Sequence, residues 1–267
     1  MTPGATRPPG PDGLRLPYIV LPGTEQMRRD ESLLRWAGAG RDRFVARTYG
    51  WARPTLSLGR AEPFPGAYDA TALLAAGIDV VRRPTGGDAV LHDEEVTFAV
   101  AASVPGSWAA RPRRFAALVA EALAAALRGL ELPAAVVDPV EAGPPAAPGS
   151  HPCFARASAG EVRIGAYKAA GIASRFTRGA ALSHASVPLT ARHRDIADFR
   201  RDRDPARDAL REHARSLGET LGAPVDPDAL TRLLLRELEA AFHVQLRDAA
   251  WSEVVLGEPA ESEVPAA

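Results

Sequence analysis

The amino-acid sequence predicts an α+β domain, a mixed or antiparallel β-sheet with helices flanking it. Three observations carry this. Short strand-like pieces over 162–164, 167–170, 180–182 and 186–189 follow one another with no helical period between them. Helix-length segments stand before and after such runs. The chain has 267 residues, 46% apolar and 24% charged, which suits one large domain with a substantial core.

In chain order, residues 1–13 read as a loose Pro/Gly-rich arm. Residues 24–37 form the first helix. Thr24 is placed to cap it, and Met27, Leu33, Leu34 and Trp36 give it an apolar side. Strands are expected at 44–46 and 55–58, with Arg47, Tyr49, Trp51 and Pro54 forming a mixed aromatic and cationic segment between them. Residues 69–77 make a short helix stopped by Gly77. Strands follow at 78–82 and 96–100. The clearest long helix covers 112–130, opened by Pro112 and closing near Gly129. A Pro/Gly-rich loop occupies 139–151. After the cluster of strands, helices are expected at 205–221 and 228–242, and 258–267 reads as a mobile tail. One domain over 14–257 is the simplest partition.

Composition narrows the function classes. A formal net charge of −1 gives no general attraction to nucleic acid or anionic lipid. Cys153 is the only cysteine, so no internal disulfide forms, which fits a reducing compartment. The start lacks the apolar run of a signal peptide, and no apolar stretch reaches the ~18 residues of a membrane span. A cytoplasmic protein is expected. Lys168 is the only lysine.

The segment RRPTGGDAVLHD, 82–93, concentrates unusual chemistry. Gly86 and Gly87 allow a turn costly to other residues and leave room for a ligand near the backbone. Successive N–H groups of such a turn bind carbonyl or carboxylate oxygens. Arg82 and Arg83 alternate, so one of them points into a given pocket. Neither the phosphate loop nor the dinucleotide fingerprint is present. On this segment alone, a hairpin with solvated arginines competes equally, and His92 reads as well as a structural histidine.

The second half adds His151-Pro152-Cys153-Phe154 and, from Gly160 to Ser186, Lys168 between Gly165 and Gly171. Cysteine is the best soft nucleophile for thioester exchange, and its thiol needs a nearby cation to ionise near neutrality. Lys168, Arg175, Arg178 or His184 could supply one. A lysine also stabilises the negative charge that develops on an acyl oxygen. A buried core cysteine and a surface lysine are the plainer readings. The six histidines show no ligand spacing, so no metal site is expected.

Taken together, these motifs resemble the lipoate–biotin protein ligase superfamily, and most closely its cysteine-dependent octanoyltransferases. The pattern R-R-x-T-G-G-x-A-V-L-H-D-x-E-x-T-Y is matched from Arg82 to Phe98. The pattern R-x-Y-x-W-x-x-P-x-x-S-L-G is matched from Arg47 to Gly59. The family's C-F pair, fifteen residues before its lysine, falls on Cys153, Phe154 and Lys168. Its Q-H-G-S falls on Ser183, His184, Ala185 and Ser186. The resemblance covers about 25–189 and fades over the C-terminal helices. It departs from the pattern at Ala166-Tyr167-Lys168, where the family has G-R-K, and at Asp88, where a basic residue is usual.

The resemblance implies Cys153 and Lys168 as catalytic residues. It implies Arg47, Tyr49, Arg83, Thr85, Gly86, Gly87, Asp88, Ala89, His92, Gly171 and His184 around the substrate. The implied donor is octanoyl-acyl carrier protein, and the implied acceptor is the lysine of an apo lipoyl domain or of the glycine-cleavage H protein. No ATP, metal or other cofactor is implied. Three alternatives stay open: an ATP-dependent lipoate–protein ligase, an octanoyl amidotransferase acting between lipoyl domains, and a non-catalytic acyl-binding relative.

Overall fold

Two long strands buried along their whole length organise the sheet: β7 (Glu95–Ser103) and β11 (Ala180–Pro188), paired antiparallel from Glu95↔Pro188 to Ser103↔Ala180. The computed structural model describes residues 12–104, 112–138, 140 and 149–254. Along these, the chain runs β1 (Asp12–Arg15), β2 (Ile19–Leu21), α1 (Gly23–Gly38), β3 (Phe44–Trp51), β4 (Thr55–Leu58), α2 (Ala70–Ala75), β5 (Asp79–Arg82), β6 (Val90–His92) and β7. It continues through α3 (Pro112–Arg128), β8 (Ala134–Val136), β9 (Val162–Ile164), β10 (Tyr167–Phe176) and β11. Helices α4 (Arg203–His213), α5 (Leu217–Leu221) and α6 (Pro227–Phe242) and strand β12 (Gln245–Asp248) follow. One-turn or irregular 3-10 segments lie at Cys153–Ala155, Ala191–Phe199 and Trp251–Glu253.

The larger sheet has the order β12-β1-β3-β7-β11-β10-β9-β8, with β2 also on β3, and mixes parallel and antiparallel pairs. A smaller sheet, β5-β4-β6, stands apart from it. This is the mixed sheet with flanking helices that the sequence predicts.

Side chains alternate across a strand, and the two faces of β7 show it. Val96, Phe98, Val100 and Ala102 join α3 and α6 in one core through Phe115, Leu123, Leu127, Leu230 and Leu234. Ala99 and Ala101 instead meet α1 through Leu33, Leu34 and Trp36. A third cluster joins the smaller sheet, the Cys153–Ala155 turn and α4 through Leu56, Leu58, Tyr68, Leu91, Phe154 and Leu210. Truncating a fully buried leucine such as Leu123 in such a core costs about 2–5 kcal/mol.

Several elements differ from expectation. Residues 12 and 13, assigned to the loose arm, open β1; residues 1–11 lie outside the described part. Strands β2, β6, β8 and β12 are additional: three or four residues each, they are too short to show a period. The pieces 180–182 and 186–189 are one strand, because Ser183 and His184, which interrupt the apolar pattern, are buried within β11. The helix expected over 205–221 is two. Ala214 is extended and bridges Lys168, and Ser216 restarts a helix with a capping box to Glu219. Of the loop at 139–151, residues 139 and 141–148 lie outside the described part, as does the tail 258–267.

Candidate active site

Register brings the site's floor together. Gly171 of β10 pairs with Ser186 of β11, Ser186 with Thr97 of β7, and Thr97 with Tyr49 of β3. The next row of the same face is Ala173, His184, Ala99 and Arg47. Gly171 and Ala173 are small, so the floor is low at β10 and rises to the aromatic rings on β3. Above it lies a cavity of about 370 Å³, whose walls include Cys153, Lys168, Gly87, His92 and Trp51.

The glycine turn between β5 and β6 is held by Arg83, which faces inward. Its Nε and Nη2 donate to the Gly86 carbonyl at 3.1 and 2.7 Å, and Nη2 also to Asp88 O at 2.8 Å. Its Nη1 donates to Ser57 O and Oγ at 2.8 and 3.2 Å. Arg82 points outward and donates to Gly59 O and Glu62 O, each at 2.7 Å. Both guanidiniums therefore shape backbone. Gly87 has φ +88°, the left-handed region that glycine enters freely.

Gly59 is tighter still. A Cβ there would lie 1.8 Å from the Gly87 carbonyl oxygen. Gly59→Ala is expected to displace the turn and lower turnover by at least about 100-fold, and circular dichroism should show the sheet retained. Wild-type activity in that variant would refute the close packing.

Cys153 opens its 3-10 turn, and its N–H donates to Ala89 O at 3.0 Å, tying the thiol to the end of the glycine turn. Phe154 is buried behind it, edge-on to His193 at 4.9 Å. The Lys168 Nζ lies 3.2 Å from Cys153 Sγ and donates to Cys153 O at 2.7 Å and Arg156 O at 3.2 Å. Glu161 completes the seat, with Oε1 and Oε2 each 2.7 Å from Nζ. A Cβ on Gly171 would approach Sγ to 3.1 Å, so glycine there leaves the sulfur its room.

Burial pushes the Cys153 thiol above its ordinary value. Lys168 and Arg83 oppose this, Glu161 adds to it, and the net direction is up. Burial pulls Lys168 down, but Cys153 and Glu161 outweigh it and hold the ammonium above the usual lysine range. The resting pair is a thiol beside an ammonium already matched by a carboxylate.

Two histidine–carboxylate pairs brace the glycine turn. His184 Nδ1 lies 3.0 Å from Asp30 Oδ2, and its Nε2 lies 2.6 Å from Thr85 Oγ1. With Nδ1–H given to the carboxylate, Nε2 accepts from the threonine hydroxyl. Asp30 also accepts from Arg47 Nε at 2.9 Å, Arg47 Nη2 at 2.5 Å and Tyr49 OH at 2.9 Å. Burial pushes the Asp30 carboxyl up, and the Arg47 charge and the His184 bond overcome it, leaving it below the ordinary carboxylate range.

The second pair is His92, with Nδ1 2.8 Å from Glu95 Oε1 and Nε2 2.7 Å from Ser57 Oγ. Glu95 accepts from Ser186 at 2.5 Å and from Thr97. Burial raises Glu95, but His92 and these hydroxyls bring it below its ordinary value. Trp51 stacks on His92 at 4.0 Å and closes the cavity over β3.

Most residues singled out in the sequence thus meet at one cavity: Cys153, Lys168, Arg83, Gly86, Gly87, Asp88, Tyr49, His92, Gly171 and His184 line it. Arg47, Thr85 and Ala89 sit behind the wall. Arg47 is 1% exposed, with its donors committed to Asp30 and Gln26. Thr85 bonds His184, and Ala89 holds Cys153. Asp88 accepts the Gly149 N–H at 2.9 Å, which occupies one oxygen of the unusual acid. Of the candidate thiol partners, Lys168 is the one at the sulfur.

Glu161, Asp30, Gln26, Glu95, Ser57 and Gly59 were not selected from the sequence. Asp30 and Gln26 had a signal: they fall on the buried side of α1 with Met27, Leu33, Leu34 and Ala37 at three- and four-residue spacing. Glu161 had none. Among the described residues no group of three histidine, cysteine or acidic side chains is placed to hold a metal, and no helix is long and apolar enough to cross a membrane.

Known proteins resemble this chain in sequence and in fold. The Octanoyltransferase LipM of Kyrpidia tusciae is 37% identical over 232 residues, 82% of this chain and 83% of the relative. The Octanoyltransferase LipM of Symbiobacterium thermophilum is 34% identical over 219 residues, 76% of this chain and 77% of the relative. A crystal structure of lipoate-protein ligase A bound with ATP superposes with a TM-score of 0.71 at 22% identity, covering 91% of this chain and 90% of that one. A bi-partite lipoate protein ligase from Thermoplasma acidophilum gives 0.70 at 23% identity, covering 91% and 88%. These two likenesses are of fold. Residues 22–239 match the lipoyl protein ligase A/B catalytic domain. The chain belongs to the lipoyl protein ligase A/B catalytic domain family.

Proposed function

We propose that this protein is an octanoyltransferase that carries the acyl group as a thioester on Cys153. It takes octanoyl from octanoyl-acyl carrier protein and gives it to the lysine of an apo lipoyl domain or of the glycine-cleavage H protein. The observation that carries the reading is the 3.2 Å approach of the Lys168 ammonium to the Cys153 sulfur inside the cavity. The relatives named octanoyltransferase support the acyl group, and the residues support the route.

In the first step the Cys153 sulfur attacks the donor thioester carbonyl. The new C–S bond forms, the donor C–S bond breaks, and the thiol proton goes to the departing donor sulfur. One thioester replaces another, so no nucleotide or metal is needed to activate the acyl group. Lys168, already charged, donates toward the oxygen that becomes negative in the transition state. In the second step the neutral acceptor amine attacks the Cys153 thioester, an amide forms, and the sulfur recovers a proton.

The floor accommodates the acyl tail. From β10 to β3 is three strand steps, about 14 Å at ~4.8 Å each. An extended octanoyl chain with C–C bonds of ~1.5 Å spans about 9 Å. Each methylene taken from water contributes about 0.8 kcal/mol. A groove running from Cys153 over Gly171 and Ser186 toward Trp51 would hold the chain.

The test is intact-protein mass after incubation with octanoyl-acyl carrier protein and no ATP, beside Cys153→Ala. One octanoyl on the wild type, none on the variant, and its removal by an apo lipoyl domain or H protein is the expected result. A fully active Cys153→Ala protein would overturn the thioester route, and a requirement for ATP would replace it with adenylate chemistry.

A further inference from the structure

The same closeness that makes Lys168 useful makes it dangerous. An uncharged amine 3.2 Å from a sulfur carrying an acyl group is a competing acceptor. Its nitrogen would attack the thioester carbon, a C–N bond would form, and the C–S bond would break. The nitrogen's proton would pass to the sulfur. The product is an octanoyl amide on Lys168 and a free thiol, with the cation lost and no thioester left to carry the group onward. This is the bond the enzyme makes on its partner, formed on itself.

Glu161 faces Nζ within the seat that holds it. Both its oxygens lie 2.7 Å from Nζ, and the Ser158 N–H donates to Oε2 at 2.6 Å, fixing the carboxylate. Glu161 is 6% and Lys168 1% exposed, so water has little access to the pair. Among the described residues, the ammonium also meets the carbonyls of Cys153 and Arg156, the Cys153 sulfur and, at 5.3 Å, the Phe154 ring. Arg83 lies within electrostatic range of the thiol, and Glu62, Asp88, His151 and Arg156 complete the charged or titratable lining nearby. Acylation leaves the sulfur with no ionisable hydrogen, so Cys153 can no longer support the cation as a thiolate, and the carboxylate matters most while the acyl group is present.

We propose that Glu161 is a positioning residue whose carboxylate keeps the Lys168 amine protonated and so bars it from capturing the acyl group that Cys153 carries. Burial on its own would favour the neutral amine, and Glu161 is the charged partner that outlasts acylation. The inference rests on the reading of Cys153 as acyl carrier.

Lys168 is the only lysine, which makes the experiment clean. Wild type, Glu161→Gln and Glu161→Asp are loaded with octanoyl-acyl carrier protein, held without acceptor, treated with hydroxylamine and weighed. Hydroxylamine removes thioester-bound octanoyl and leaves amides, and peptide fragmentation separates Lys168 from the amino terminus. The expected result is complete removal from wild type and Glu161→Asp. In Glu161→Gln, a resistant octanoyl on Lys168 should be at least tenfold more abundant than in wild type, with a matching loss of turnover. A Glu161→Gln adduct as labile as the wild-type one overturns the proposal.

If that variant does not fold, wild-type acyl-enzyme at about pH 9.5, just below the ordinary lysine range, decides: it should hydrolyse to unmodified mass, and octanoyl-Lys168 would overturn the proposal. Absence of any adduct on folded wild type would remove the acyl-carrier reading and this inference with it. A normal wild-type adduct with an unchanged variant removes this inference alone.

Discussion

Replacing Lys168 by Met is expected to lower kcat for octanoyl transfer by about 100- to 1,000-fold, the effect of removing one donor from an oxyanion site, with a smaller change in KM. In the proposed mechanism the ammonium acts on charge that develops in the transition state, and the acyl tail would lie elsewhere, over β10, β11 and β7. The substitution also strips Glu161 of its counter-charge. Removing one partner of a buried pair costs about 3–5 kcal/mol, because the other charge stays uncompensated. Activity and stability therefore fall together, and the double variant Lys168→Met/Glu161→Gln separates them. It should recover most of the stability and none of the rate. Recovery of the rate would show that Lys168 serves the fold and not the reaction. Steady-state kinetics beside urea unfolding reads both.

Replacing Arg47 by Met is expected to destabilise the fold by about 3–5 kcal/mol at neutral pH. Asp30 is 0% exposed and accepts two bonds from Arg47, one from Tyr49 and one from the His184 side. Without the guanidinium, burial acts on Asp30 with less opposition, and its carboxyl rises. In the wild type the folded-state value is depressed. Its contribution to stability is then fully present above the unfolded value near 3.9, and is lost as pH falls through the lower folded value. In the variant the sign reverses. The folded carboxyl titrates above the unfolded one, so acidification toward pH 4 relieves the penalty. The stability gap between the two proteins should narrow from pH 7 to about pH 4.5. A gap constant across that range would mean that Asp30 keeps its charge without Arg47. Activity should fall as well, since Asp30, His184 and Thr85 form one hydrogen-bonded path to the glycine turn.

His193 adds a second acid-side component in the wild type. Burial holds it down to about 4, against a Thr190 carbonyl bond that favours the charged form. A histidine buried neutral contributes stability above its unfolded value and loses it as pH falls. Acid destabilisation of this protein therefore includes a histidine that touches Phe154, next to Cys153.

How far the sequence revealed this site depends on what kind of information each residue carries. Cys153, Lys168 and the glycine turn were legible because few residue types perform their tasks. The fold class was legible because the strand-like pieces cluster. The role of Arg47 was not. Its neighbours in sequence suggested a cation beside aromatic rings, and the rings are there, Tyr49 at 3.8 Å from the guanidinium. Its partner Asp30 lies on another element, seventeen residues earlier, and pairing across elements leaves no local pattern. Arg82 and Arg83 show the reverse. Alternation correctly predicts that one faces in, but both spend their donors on backbone. Glu161 was invisible because an acid next to a glycine in a loop is ordinary until topology sets it against a buried cation. The split between α4 and α5 was hidden for a similar reason, since Ala214 leaves the helix to bridge Lys168, a tertiary contact.

The edge of the large sheet carries one more consequence. Strand β12 lies parallel to β1, with Asp12 opposite Gln245 and Arg15 opposite Asp248. Ala249 N–H then donates to Arg15 O at 2.9 Å. During synthesis the first strand leaves the ribosome more than two hundred residues before its outer neighbour exists. Its outward hydrogen-bonding groups stay open to other chains for that whole interval. Closure of this edge is the most non-local strand pairing among the described residues, and such contacts form late. This flank of the sheet is thus sealed by two segments far apart in the sequence, and a ribosome stalled before residue 248 would hold a chain with a sticky flank.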